Sequence, residues 1–189
     1  DKIMYSMKHY DSEIKGVSEI QKVLMESKPS ELDTVQYGLR LWDEYGSDDF
    51  ESYLRIFIEQ ASTSNLKTKH FTRKYNDLKV KVSFGQGTTA RVPWIAFLGG
   101  GQTVSNGIYP VYLYYKSINK LILAYGVSET NKPGQVWDGL DNPQTIAQYF
   151  SKENYPAPDR YGSSFIFKVY DISEGMPDEQ YDDDLNELI

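Results

Sequence analysis

Residues 78–84 read Leu-Lys-Val-Lys-Val-Ser-Phe, and no other stretch constrains the fold as tightly. Leu78, Val80, Val82 and Phe84 alternate with Lys79, Lys81 and Ser83, a half-buried strand with one basic face. Such a strand must pair on its edges and bury its apolar face, so a sheet with a covering layer is required. The following segments supply the partners. Val92 to Leu98 is an apolar strand, and Gly99-Gly100-Gly101 and Asn106-Gly107 mark a loop. Ile108 to Tyr115 and Leu121 to Val127 read as two strands joined by a turn at Ser117 to Lys120, and Ser164 to Tyr170 alternates as a last strand. Short connections between successive strands favour a mainly antiparallel sheet.

Helices frame these strands. Phe50, Tyr53, Leu54, Phe57 and Ile58 recur at helical spacing behind a cap at Ser47 or Asp48. Upstream, Ser18 and Gln21 form a capping box before Ile20, Val23 and Leu24, and Val35, Leu39 and Trp42 carry a stripe to Gly46. Asn142-Pro143 is expected to open a short helix reaching about Phe150, capped by Asn142 or Asp141. Asp182-Asp183-Asp184 lies in a short helix or a frayed tail. The expected class is α+β: a mainly antiparallel mixed sheet flanked by helices. Residues 1–46 form a helical N-terminal extension, 47–170 the principal domain and 171–189 an acidic tail or linker.

The net charge of -7 conceals a polarised chain. Residues 1–65 sum to -6, residues 66–170 to +7 and residues 171–189 to -8. Within the basic zone, Lys67, Lys69, Arg73, Lys74, Lys79, Lys81 and Arg91 face only Asp77 in residues 66–91. This excess is a candidate polyanion surface, with a solvated strand face as the plainer reading.

Several chemistries are excluded or weak. With no cysteine there is no disulfide, thiolate nucleophile or Cys-ligated zinc, and two histidines, His9 and His70, make a His-rich metal site poor. No apolar run is long enough to span a membrane, the first residues do not resemble a signal peptide, and a cytoplasmic location is expected. A G-x-x-x-x-G-K-S/T phosphate loop is missing, Gly99-Gly100-Gly101 lacks its lysine and helix, and Gly85-Gln86-Gly87 is a lone GxG. Glu13-Ile14-Lys15 is a short charged triplet of the kind chance supplies, and no Ser-His-Asp set is visible.

The aromatic content is unusual. The chain has sixteen Tyr and three Trp, and many lie in the basic zone: Tyr75, Trp94, Tyr109, Tyr112, Tyr114, Tyr115, Tyr125, Trp137, Tyr149, Tyr155 and Tyr161. Rings interleaved with cations suit base stacking, worth about 1–3 kcal/mol per base. Taken singly, each Tyr is equally a sheet residue whose hydroxyl reaches water.

Longer blocks carry a resemblance. Residues 79–85 (Lys-Val-Lys-Val-Ser-Phe-Gly), 92–99 (Val-Pro-Trp-Ile-Ala-Phe-Leu-Gly) and 105–111 (Ser-Asn-Gly-Ile-Tyr-Pro-Val) are similar to the N-terminal DNA-recognition domain of the McrB family. The similarity continues through Leu113-Tyr114-Tyr115-Lys116, Leu123-Ala124-Tyr125-Gly126, Ser128-Glu129-Thr130-Asn131, residues 145–150 and Tyr161-Gly162, covering about residues 50–165. The family supplies the GTP-driven subunit of McrBC-type modification-dependent restriction systems.

The resemblance implies a non-enzymatic module that binds double-stranded DNA containing modified cytosine and flips that base out of the duplex. A base leaving the stack loses a few kcal/mol, which an aromatic sandwich partly restores. Trp94 and Tyr161 would hold the base, and Tyr109 and Leu113 would meet its 5-methyl group. Burying such a methyl contributes about 0.8 kcal/mol. The loop Gly85-Gln86-Gly87 would enter the duplex gap, although Gln86 stands where a family member carries an aromatic ring. Arg73, Lys74, Lys79, Lys81 and Arg91 are candidate phosphate contacts. No cofactor is expected in this chain. A GTPase motor in the full-length protein and a separate nuclease subunit are the implied partners, and no membrane. The competing readings are an RNA or single-strand binder on the same surface, a protein-interaction module and, last, a hydrolase with an unrecognised site.

Overall fold

The computed structural model describes residues 50–129 and 143–189, which lie within one structural unit, Asp49–Ile189. The helices expected in residues 1–46, the cap at Ser47 or Asp48, and the caps Asp141 and Asn142 lie outside the described residues. Helix α1 (Phe50–Ala61) is followed by strands β1 (Lys74–Tyr75), β2 (Leu78–Ser83), β3 (Trp94–Leu98) and β4 (Ile108–Tyr115). A single 3-10 turn, Lys116–Ile118, leads to β5 (Lys120–Val127). Helix α2 (Ile146–Lys152), strand β6 (Phe165–Asp171) and helix α3 (Tyr181–Leu188) complete the order. The six strands form one sheet in sequence order, every neighbouring pair antiparallel. The α+β expectation therefore holds, and the sheet is a meander.

Register decides the two faces, because cross-strand partners point to the same side. Val80 pairs with Phe97, Val82 with Ile95, Ile95 with Tyr112 and Tyr112 with Leu123, which defines the first face. Helix α1 buries Phe50, Tyr53, Leu54 and Phe57. Phe50 packs its ring 5.9 Å from that of Tyr112 and 5.5 Å from that of Tyr75.

Helix α3 covers the same face, so the acidic end is a packed helix. Tyr181, Leu185 and Leu188 are buried, at spacings of four and three residues. The Tyr112 hydroxyl donates to the Tyr181 carbonyl at 2.8 Å, and the Tyr170 hydroxyl to Asp184 at 2.7 Å. Tyr75 donates to Asp182 and sits 3.0 Å from Asn186 Oδ1, while Lys168 reaches Asp184 at 2.8 Å. Burial pushes the Tyr75, Tyr112 and Tyr170 hydroxyls above their ordinary pKa, so all three remain donors. The acids Asp182, Asp183 and Asp184 occupy the first turn, where the helix dipole favours negative charge.

The sequence misplaces the start of α2. Gln144 and Thr145 first pair with β6: Thr145 bridges Phe165, and Ile166 N–H donates to the Gln144 carbonyl at 2.9 Å. The helix then begins on a capping box, with Thr145 Oγ1 accepting from Gln148 N at 3.2 Å and Gln148 Oε1 accepting from Thr145 N at 2.8 Å. Two otherwise unsatisfied amides are thereby paired, which Pro143 cannot achieve. The Gly99-Gly100-Gly101 stretch is the β3–β4 turn. Gln102 N–H donates to the Gly99 carbonyl at 2.9 Å, and the Gln102 side chain donates to the Ile108 carbonyl at 2.7 Å.

Leu185 is wholly buried, so Leu185→Ala is expected to lower stability by about 2–5 kcal/mol. Thermal or urea unfolding measures this, and an unchanged midpoint would return the acidic end to a frayed tail.

Candidate nucleic-acid interface

The second face of the sheet gathers the sequence-predicted residues. Lys74 pairs with Lys79, Lys79 with Leu98, Lys81 with Ala96 and Ser83 with Trp94. Trp94 pairs in turn with Leu113, and Ala96 with Val111. Lys74, Lys79, Lys81, Trp94, Leu113 and, two residues before Val111, Tyr109 thus share one side. Helix α2 packs on that side beside β6, burying Ile146 and Phe150. Toward β2 the face is left to Lys79, exposed, and to Lys81, Ser83 and Trp94, half-buried.

Tyr109, Leu113, Trp94 and Tyr161 belong to one apolar cluster with Val92, Ala96, Val111, Tyr115, Ile122 and Phe150. Their exposures differ. Trp94 and Tyr161 are half-buried, whereas Tyr109 is 8% and Leu113 only 1% exposed. The first two are surface rings. The second two are the floor beneath the face, and Leu113 meets a ligand only if what covers it moves. Gly126 pairs with Tyr109, and a Cβ there would lie 2.7 Å from Val111 Cγ1 and 3.1 Å from the Tyr109 ring. A side chain at 126 would therefore displace the Tyr109 ring. The Tyr109 hydroxyl donates to the Val104 carbonyl at 2.9 Å. Its pKa is pushed up to about 12, by burial first and then by the neighbouring Tyr161 and Glu129.

Tyr161 arrives from irregular backbone between α2 and β6, with φ at +62°. That left-handed conformation costs a bulky residue about 1–2 kcal/mol. Three hydrogen bonds hold it. Glu129 Oε1 accepts from Tyr161 N–H at 2.6 Å, Ser164 N–H donates to the Tyr161 carbonyl at 3.0 Å, and the Tyr115 hydroxyl donates to the Arg160 carbonyl at 2.7 Å. Glu129 Oε2 also accepts from Arg160 Nε at 2.6 Å, and the Arg160 guanidinium lies 5.2 Å from the Tyr161 ring centroid. Trp94 and Tyr161 both pack against the apolar cluster. Burial raises the Tyr161 pKa, Arg160 opposes the rise, Glu129 adds to it, and the nearby Trp94 side chain slightly opposes it.

The loop Gly85-Gln86-Gly87 leaves the Trp94 end of the β2–β3 hairpin. Gly85 has φ +118°, and a Cβ there would sit 2.0 Å from the Thr88 carbonyl oxygen, so only glycine fits. Ala90 N–H donates to the Phe84 carbonyl at 2.7 Å and closes the loop, leaving Gln86 exposed at its tip. Arg73 is exposed, and Arg91 is exposed but ion-paired with Asp159 at 2.7 Å. Among the described residues, no group of three or more His, Cys, Asp or Glu side chains is placed to hold a metal ion. Nor is any described helix long and apolar enough to cross a membrane.

Sequence reasoning assigned no role to Glu129, Arg160, Ser83 or Gly126. Ser83 and Gly126 follow from register alone. The bonds of Glu129 to residues 31 and 32 positions away leave no local pattern.

A helix-flanked antiparallel meander with cations and part-exposed rings on one face has relatives. Residues 39–158 match the family described as "MrcB-like, N-terminal domain", which covers more than half of the chain, and the chain belongs to that family. A relative from Escherichia coli (strain K12) is 40% identical over 144 residues, 75% of this chain. That protein is described as "Type IV methyl-directed restriction enzyme EcoKMcrB subunit", and the chain spans 31% of its length.

Since Leu113 is a core residue, Leu113→Ala is expected to cost about 2–5 kcal/mol of stability whatever it does to binding. A melting curve unchanged from that of the parent would show that the side chain is not packed as described.

Proposed function

We propose that this domain binds duplex DNA through the Lys74–Lys79–Lys81 strip and draws a modified cytosine out of the stack against Trp94 and Tyr161. The observation that carries the reading is the shared sheet face: cations on β1 and β2, a part-exposed Trp on β3 and a part-exposed Tyr above them. Phosphate contacts give affinity without sequence readout. Each stacked base adds about 1–3 kcal/mol, which offsets part of the unstacking cost. Tyr109 and Leu113 form the apolar floor toward which a 5-methyl group points. At about 0.8–3 kcal/mol for one carbon group, their contribution limits modification selectivity to about fourfold to a hundredfold. Gln86 enters the gap left in the duplex, using an amide where an aromatic ring would fill it better. The family membership and the methyl-directed description of the E. coli relative support this reading. In a longer protein, the domain would direct a GTP-driven restriction subunit and its nuclease partner to modified sites in the cytoplasm.

The deciding experiment compares matched duplexes with and without 5-methylcytosine at two salt concentrations. Tighter binding to the methylated duplex is expected, and equal affinity for both would remove the modification reading. Tighter binding to single-stranded RNA would replace it with the single-strand reading.

Two variants divide the roles. Lys81→Ala is expected to weaken both duplexes alike and to reduce the slope of log affinity against log salt by about one unit. A loss confined to methylated DNA would move Lys81 into the pocket. Trp94→Ala is expected to lower affinity for the methylated duplex by about 1–3 kcal/mol while leaving the salt slope intact.

A further inference from the structure

The geometry points to Glu129 as a positioning residue that presets Tyr161 for base capture, a proposal that rests on the reading above. Glu129 stands two residues beyond the end of β5, and its carboxylate is spent on the segment that carries the ring. One oxygen takes the Tyr161 amide and the other takes Arg160 Nε, each at 2.6 Å. The amide it holds belongs to a bulky residue with φ +62°, a backbone that persists only when its surroundings over-determine it. The second oxygen fixes the Arg160 side chain, whose guanidinium lies 5.2 Å from the Tyr161 ring centroid. Glu129 therefore controls both the backbone beneath the ring and the cation beside it. The other supports of this segment, the Tyr115 hydroxyl on the Arg160 carbonyl and the Ser164 amide on the Tyr161 carbonyl, leave the Tyr161 amide unheld. Removing Glu129 would let the peptide relax and swing the ring away from Trp94. The cost would fall on capture of the base and spare the Lys79 and Lys81 strip.

The test uses the 189-residue chain as Glu129→Ala, Glu129→Gln and Tyr161→Ala. Each is titrated with methylated and unmethylated duplexes, alongside amide hydrogen exchange. Glu129→Ala is expected to weaken methylated binding about tenfold, approaching Tyr161→Ala, with the unmethylated affinity and salt slope unchanged. Exchange at residues 159–164 should quicken while the β3–β4 amides stay protected. Glu129→Gln keeps an acceptor for the Tyr161 amide and should recover most of the methylated affinity. If Glu129→Ala retains the parental methylated-to-unmethylated ratio while Tyr161→Ala loses it, Glu129 does not position the ring. Equal weakening of both duplexes with faster exchange across the sheet would make its role merely structural and overturn the proposal. If Tyr161→Ala itself leaves the ratio unchanged, base capture at this pocket fails, and the proposal fails with it.

Discussion

Trp94 and Leu113 face each other across the β3–β4 ladder, and the composition of both sheet faces depends on that register. A slip of β3 by one residue would turn Ile95 and Phe97 toward the basic strip and send Trp94 beneath α1 and α3, and a slip of β4 would turn out Tyr112. Burial prevents both. Ile95 and Tyr112 are wholly covered, so exposing them would forfeit large apolar areas. The Tyr112 hydroxyl adds a polar lock, because it reaches the Tyr181 carbonyl only from the helix-covered side. Left unpaired, the buried Tyr112 hydroxyl would cost about 1–3 kcal/mol.

The same register divides the many tyrosines into two populations. Tyr53, Tyr75, Tyr112, Tyr170 and Tyr181 belong to the helix-covered face, where ring contacts run from α1 across the sheet to α3. The Tyr75, Tyr112 and Tyr170 hydroxyls tie strands to the acidic helix, so the -8 of the last residues is partly structural. Tyr109, Tyr115, Tyr149, Tyr155 and Tyr161 belong to the opposite cluster. The first population is structural, but the hydroxyls of Tyr75, Tyr112 and Tyr170 bond within the protein and do not reach water, and Tyr53 and Tyr181 stand on helices. In the second, Tyr115 serves the site indirectly by holding the Arg160 carbonyl.

Alternation made much of this legible. Ile108 to Tyr115 was readable to the residue, and the apolar residues of α1 were readable from helical spacing. Pro93, without an N–H, delays the start of β3 to Trp94, although its carbonyl still accepts from Tyr114 N–H at 3.0 Å. Thr145 and Gln148 carried a capping signal that Asn142-Pro143 outshone, since bridging of residue 145 to β6 is a tertiary event. The stripe Tyr181, Leu185 and Leu188 was similarly obscured by the acids around it. Trp94, Tyr109 and Leu113 share a face by strand parity. Tyr161 does not follow from any period, because it sits on irregular backbone at positive φ, and only the family resemblance brought it to the site. Glu129 was invisible because a carboxylate bonded to distant backbone has no spacing rule.

On the proposed reading, affinity, capture and discrimination reside on different structural elements. The lysine strip acts at the surface and is weakened by salt, while stacking on Trp94 and Tyr161 acts only on a base that has left the duplex. Discrimination falls to Tyr109 and Leu113, and these are core residues. A methyl contact worth near 0.8 kcal/mol is small beside the several kcal/mol that Leu113 contributes to the fold. Packing against Val111, Ile122 and Phe150 orders this floor before a base arrives, but what covers Leu113 must move before a methyl group can reach it. On this reading, discrimination rests on uncovering an ordered floor and not on ordering one. The same packing makes the floor intolerant of substitution: a change of shape large enough to accept another modification also disturbs the cluster on which β3, β4 and β5 depend.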